Sequence, residues 1–347
     1  MPPIPAAPAR LLLVKLSSLG DVVHTLPTLE ALRAAFPRGH LTWLVEEAYA
    51  PLLAGHPALD AVWTVPRWRW SRERWAGEVR RFTALTLALR RQPFDLVVDL
   101  QGLLKSAVWV ALAQSPRKVG FDRTREGSWR VLTERLPPYD PDRHALLRCL
   151  DVARYLGAAA GPPRFRFPPL PAVDAGAVFA AARGRPLVIL HPGARWDTKL
   201  WPGAYWREVA RGLLARGSAV AITGGPADRE MAAQILDGLT GPVLNLAGRT
   251  TLLEAVGWLR QAALAVTTDT GPMHLAAALG VPVAALFGPT APWRTGPLGE
   301  GHQVLRLQLP CSPCFRRRCP DPRCLTELPP AMVLDACGKI LNRPEGN

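Results

Sequence analysis

The sequence predicts an α/β protein built from two doubly wound parallel-sheet domains. Three observations carry this. Short, almost wholly apolar runs end in polar turns that open helices, and the unit recurs along the chain. The recurrence breaks at a Pro-rich, aperiodic stretch, residues 161–173, and restarts after it. The length, 347 residues, is more than one core usually serves.

Taken in order, LLLVKL (11–16) is a buried strand whose only charge is Lys15. It runs through SSLGD into a segment with helical spacing, so Ser17, Ser18, Gly20 and Asp21 fall at a strand's C-terminal end and a helix start. Ligands of open parallel sheets collect there. Asp21 also reads as a first-turn or capping carboxylate, favoured by the helix dipole. LTWLVEE (41–47) and AVWTV (61–65) are the next strands. PRWRWSRERW then interleaves Arg67, Arg69, Arg72 and Arg74 with Trp68, Trp70 and Trp75 before an amphipathic helix to about Arg90. Guanidinium forks can bind anions while indole faces pack on a sugar ring. The same residues also suit a surface helix start with its Trp side chains turned inward. FDLVVDLQG (94–102) is a strand and turn, followed by a helix with Lys105 in its first turn; KVGFDRTREGS (118–128) closes a further strand with Asp122 and Arg123.

Beyond the Pro-rich stretch, LVILHPGA is a strand and turn leading through RWDTKLWP to a helix. AVAITGGPADREMAAQIL repeats strand, glycine turn and helix, placing Thr223, Gly224 and Gly225 at a strand end with Asp228 behind them. Such glycines let backbone approach a ligand closely. VLNLAG, VPVAALFGPT and VLRLQL supply further strands. Between them, residues 264–280 read as a buried strand, a polar turn at Asp269, Thr270 and Gly271, and an Ala-rich helix with Pro272 in its first turn. The unpaired N–H groups of a helix start make a natural phosphate seat. Asp269 or Thr270 could equally be plain helix caps. His274 lies one turn along the same helix face, as a ligand contact or as a buried structural histidine.

Neither half carries G-x-G-x-x-G after its first strand, nor a P-loop, which disfavours dehydrogenases and P-loop NTPases. The formal net charge of +14 points to an anionic partner, although no nucleic-acid-binding signature is present and no nucleic-acid partner is expected. No apolar run reaches membrane-spanning length, and MPPIPAAPAR lacks the order of a signal peptide, so a cytoplasmic protein is expected. Cys311, Cys314, Cys319 and Cys324 cluster as C-x2-C-x4-C-x4-C. Thiolate quartets hold zinc or iron–sulfur centres, but this spacing is irregular and broken by Pro320 and Pro322, so no catalytic metal is expected there and a structural metal is the lesser reading.

The segments VKLSSLGDVVHTLPTLEALR, LVEEAYA, VVDLQGLLKSA, HPGARWDTKLWP and TDTGPMHLAAALGVPVAALFGPT resemble, in order and spacing, the bacterial heptosyltransferases of lipopolysaccharide core synthesis, glycosyltransferase family 9. S-x-G-D and D-T-G-x-x-H together are specific. The resemblance implies a GT-B fold of two Rossmann-like domains facing a central cleft. Residues 1–170 would bind acceptor and 171–325 the ADP-sugar, with 326–347 a C-terminal helix that could pack back on the N-terminal domain. It implies an inverting transfer from ADP-L-glycero-β-D-manno-heptose to Kdo–lipid A, or to that acceptor already bearing one heptose, with no cofactor or catalytic metal. WRW and DLQGLLKSA look most like the enzyme adding the first heptose; PCSPCFRRRC looks more like the second.

Carried over by motif, Asp21 becomes the general base and Lys199 the cation on the departing diphosphate. Asp269, Thr270, Gly271 and His274, with Thr223, Gly224, Gly225 and Asp228, fall on the donor side. Ser17, Ser18, Gly20, Arg67, Arg69, Lys105 and Arg123 fall on the acceptor side, facing Kdo carboxylates and lipid A phosphates. A peripheral contact with the inner membrane fits the basic, aromatic first half. Two other readings stay open: a family member with a different sugar or acceptor, and a non-enzymatic basic protein that binds polyanions or membranes.

Overall fold

The computed structural model describes residues 8–66, 75–159, 161–173 and 184–342. The chain divides into two compact units, Met1–Pro169 and Leu170–Asn347.

The first unit holds β1 (Arg10–Val14), α1 (Leu19–Ala35), β2 (His40–Glu46), β3 (Ala61–Val65), α2 (Trp75–Arg91), β4 (Leu96–Asp99), α3 (Leu104–Leu112), β5 (Arg117–Phe121), β6 (Glu134–Leu136) and α4 (Ala145–Tyr155). All six strands pair in parallel in the order β3-β2-β1-β4-β5-β6. Alternation along each strand explains why these runs are apolar throughout. Leu11 and Leu13 join Val22, Leu26 and Leu29 of α1 and Val152 of α4 in one core layer. Leu12 and Val14 join Leu89 of α2 and Trp109 and Val110 of α3 in the other. The short edge strand β6 and the helix α4 lie outside the elements expected from the sequence.

The second unit holds β7 (Leu187–His191), α5 (Gly203–Ala215), β8 (Ala219–Ile222), α6 (Arg229–Leu236), β9 (Val243–Asn245), α7 (Leu252–Arg260), β10 (Leu264–Thr268), α8 (Gly271–Ala278), β11 (Val283–Leu286), α9 (Pro292–Thr295), β12 (Gln303–Leu305), α10 (Arg323–Thr326) and α11 (Pro330–Leu341). Its strands are again parallel, in the order β12-β11-β10-β7-β8-β9. In each unit the chain starts mid-sheet, winds one way for three strands, then crosses to wind the other way. The reversal falls between β1 and β4 in one sheet and between β7 and β10 in the other, and ligand crevices form outside the strand ends at such points.

The C-terminal helix contributes to the core of the second unit. Val333, Ala336, Cys337 and Ile340 of α11 belong to the second unit's own core, with Trp206, Val209 and Leu213 of α5. Gly212 permits this: a Cβ there would meet the Leu334 side chain at 2.7 Å. The Pro-rich stretch is likewise held. Phe165 and Phe167 pack on the first core, and Arg166 forms an ion pair with the buried Glu30. Val173 packs beside Gly257 of α7.

Candidate active site

In the first unit, β1 ends in Lys15 and Leu16 and the chain turns into α1 at Ser18. Asp21 sits in the first turn. Its Oδ2 accepts hydrogen bonds from the Ser18 N–H (2.8 Å) and Ser18 Oγ (2.9 Å), so the capping role is realised. Its Oδ1 lies 3.6 Å from Lys15 Nζ. The burial is unequal: the Lys15 side chain is 8% exposed, that of Asp21 40%. Lys15 also donates to the Leu100 carbonyl at the end of β4 (2.8 Å). Burial works against its charge, but Asp21, with Cys149 and Asp99, more than offsets this and holds its pKa above the ordinary lysine value. Asp99 is pushed up by burial, opposed by hydrogen bonds from the Gly102 and Gln101 N–H groups and the Ser106 hydroxyl.

Ser17 and Leu16 donate their N–H groups to Gln101 Oε1 at 3.1 and 3.0 Å. Gln101 thereby ties the two sides of the switch point together. The sequence showed it only as part of DLQG, because its partners are 84 and 85 residues away. Lys105 bonds Ser17 Oγ and pairs with Glu46 (2.7 Å), so its charge is already matched. Gly20 is buried inside α1. Arg123 is exposed, holds a positive φ of 49° and lies 3.8 Å from Asp122. Arg67 and Arg69 lie outside the described residues.

In the second unit, Lys199 and the turn after β10 come together across 70 residues. Lys199 Nζ donates to Asp269 Oδ2 (2.7 Å) and to the Asp269 carbonyl (2.9 Å). Here the carboxylate is the more deeply buried partner, 6% exposed against 15%. His274 Nε2 lies 3.9 Å from Asp269 Oδ1. Thr270 occupies the N-cap position of α8, yet its side chain makes no capping bond; its hydroxyl meets the Thr268 carbonyl and Thr267 Oγ1. The capping reading of Asp269 and Thr270 is therefore not realised, and the start of α8 at Gly271 keeps its positive end. Two hydroxyls at these strand ends, Thr268 and Thr290, are buried without a hydrogen-bond partner.

A second cluster flanks the other side of β7. Thr223 Oγ1 lies 3.1 Å from His191 Nδ1. Asp228 accepts from the Gly225 N–H (2.7 Å), and its carboxylate fills the space where a Cβ on Gly193 would stand, at 2.6 Å. Its own Cβ crowds Gly224 in the same way, so both glycines are required by close packing. Burial pushes His191 down to about 4, with Asp228 and Thr223 opposing, so the ring is neutral near pH 7. His191 stood in the HPG motif, but its role depends on contacts invisible in the sequence.

The Cys324 thiol is raised first by burial and then by the neighbouring Cys314, Cys311 and Cys319. Among the described residues, no three or more His, Cys, Asp or Glu side chains are arranged to hold a metal ion. Among the same residues, no helix is long and apolar enough to cross a membrane.

Comparison with known proteins shows the family of the chain. The family described as glycosyltransferase family 9 (heptosyltransferase) matches residues 82–324. The chain is 37% identical to lipopolysaccharide heptosyltransferase 1 of Pseudomonas aeruginosa, over 97% of this chain and 99% of that protein. Identity to lipopolysaccharide heptosyltransferase 1 of Escherichia coli is 31%, covering 86% and 93%. The solved structure of the E. coli heptosyltransferase WaaC with ADP superposes with a TM-score of 0.75 at 27% identity, covering 95% and 99%. Two Rossmann-like sheets and these neighbours define a GT-B enzyme. The chain belongs to glycosyltransferase family 9, the heptosyltransferases.

Proposed function

We propose that the protein is an inverting, metal-independent heptosyltransferase. It moves heptose from ADP-L-glycero-β-D-manno-heptose to the Kdo of the lipopolysaccharide inner core. The observation that carries this reading is the convergence of Lys199 on the Asp269 turn at the switch point of the second sheet. The identity to a heptosyltransferase 1 over nearly the whole chain supports addition of the first heptose.

In this reading the second unit holds the ADP moiety and the first unit the acceptor. The acceptor hydroxyl oxygen bonds to the anomeric carbon as the bond to the diphosphate oxygen breaks on the opposite face. ADP departs, and the hydroxyl proton passes to Asp21. An ordinary aspartate, with a pKa of about 3.9, is too weak to deprotonate a free alcohol. It serves when proton transfer is late and bond formation has made the hydroxyl acidic. Lys15 beneath Asp21 favours the ionised carboxylate that this step needs. Lys199 and the N–H groups opening α8 stabilise the charge that grows on the diphosphate. The enzyme works in the cytoplasm, at the surface of the membrane that carries its lipid acceptor.

ADP release in the presence of ADP-heptose and Kdo–lipid A tests the reading. Release is expected with that acceptor and not with UDP- or GDP-sugars. Activity confined to an acceptor that already carries one heptose would move the enzyme to the second transfer. No release with either acceptor would refute it.

A further inference from the structure

We propose that Arg317, carried on the cysteine-rich loop, is a second cation of the diphosphate site. The proposal rests on the donor-binding reading above and extends it to a segment that the mechanism leaves unused.

The loop is pinned up to the start of its basic run. Thr198 Oγ1, one residue before Lys199, donates to the Arg316 carbonyl at 2.8 Å. The Cys314 and Phe315 N–H groups donate to the Pro289 carbonyl at 3.1 and 2.7 Å, and Ser312 Oγ donates to the Gly288 carbonyl at 2.7 Å. Arg294 covers the Phe315 ring, 4.8 Å from its centroid. The loop therefore spans from the turn after β11 to the turn after β7, over the C-terminal end of the second sheet.

One indole joins the two cations. Lys199 Nζ lies 4.7 Å from the centroid of Trp196, and the Arg317 guanidinium carbon 5.2 Å from the same ring. The ring occupies a face of the guanidinium and leaves its N–H fork for an anion. No carboxylate pairs with Arg317 among the described residues, whereas Lys199 is already paired with Asp269. That pairing decides the electrostatics. A diphosphate carries two negative charges when esterified at both ends and gains more on leaving. A lysine whose charge is balanced by a buried aspartate does not neutralise it alone. Arg317 supplies an unmatched positive charge on the ring that Lys199 touches, held in place by a tied loop.

Calorimetric titration of ADP and of adenosine into the wild type, Arg317→Gln and Arg318→Gln tests this, with thermal midpoints confirming that each variant is folded. Losing one charge-assisted bond to phosphate is expected to weaken ADP about tenfold or more in Arg317→Gln. Adenosine affinity should not change, and Arg318→Gln should match the wild type. ADP binding by Arg317→Gln as tight as wild type would overturn the assignment. So would equal losses for ADP and adenosine, since these would mean a structural role. A wild type that binds no ADP at all would instead remove the donor-site reading on which the proposal stands.

Discussion

The two sheets share strand order and each sets a lysine against an aspartate at its point of reversal, but the pairs have opposite polarity. In the first unit the ammonium is buried and the carboxylate faces out: Lys15 is 8% exposed and Asp21 40%. In the second the carboxylate is the more buried: Asp269 is 6% exposed and Lys199 15%. A buried charge is tolerable only when paired, so each hidden partner fixes the ionic state of the one it presents. One switch point thus presents a proton acceptor and the other a cation. The helix starts differ in the same sense. At the start of α1 the Asp21 carboxylate takes the Ser18 N–H and hydroxyl, while the Asp269 carboxylate beside the start of α8 is engaged by Lys199. One scaffold yields two chemistries through which member of the ion pair is buried.

Substitutions at the two pairs can break this contrast. The largest effect is expected at Asp21→Asn, which keeps the shape and removes the base. Turnover should fall about 10²–10⁴-fold in the ADP-release assay, and near-normal turnover would contradict the role. Lys199→Ala comes next, with turnover about 10²–10³-fold lower from lost stabilisation of the departing diphosphate. A change confined to acceptor affinity would count against it.

Lys15→Met probes the hidden partner. It deprives the buried Asp99 and the outward Asp21 of their cation, and should lower stability by about 3 kcal/mol in urea denaturation. The acid limb of the pH–rate profile should move to higher pH, because Asp21 becomes easier to protonate.

The smallest effect concerns His191. Its folded pKa, about 4, is lower than that of a free histidine. Between roughly pH 6.5 and 4 the unfolded chain binds the proton that the folded chain refuses, so stability falls as pH drops through that window. The wild type should lose about 1–3 kcal/mol more than His191→Asn between pH 7 and pH 4.5. Parallel losses in the two proteins would show that His191 is not the group responsible.

Much of this was legible in the chain. Strand runs such as LLLVKL and LVILH stand out because parallel strands are buried on both faces, and their polar turns mark the sheet's ligand-binding edge. Asp21, Lys199 and Asp269 could be named from short motifs. What escaped was set by distance. Gln101 and Arg317 act through contacts with residues far away in sequence. The helix α1 is buried on nearly all sides, yet its spacing and its start after SSLGD were legible. The packing of the C-terminal helix on α5 escaped as well, because an apolar face states that it is buried, not against what; Gly212 and Leu334 show this partner only in three dimensions.

The opposed polarity of the two pairs is tested most directly by ADP affinity, measured by calorimetry in Asp21→Asn and Lys199→Ala side by side. The account predicts wild-type affinity in the first and at least about tenfold weaker binding in the second. Equal weakening in both, or none in Lys199→Ala, would contradict it.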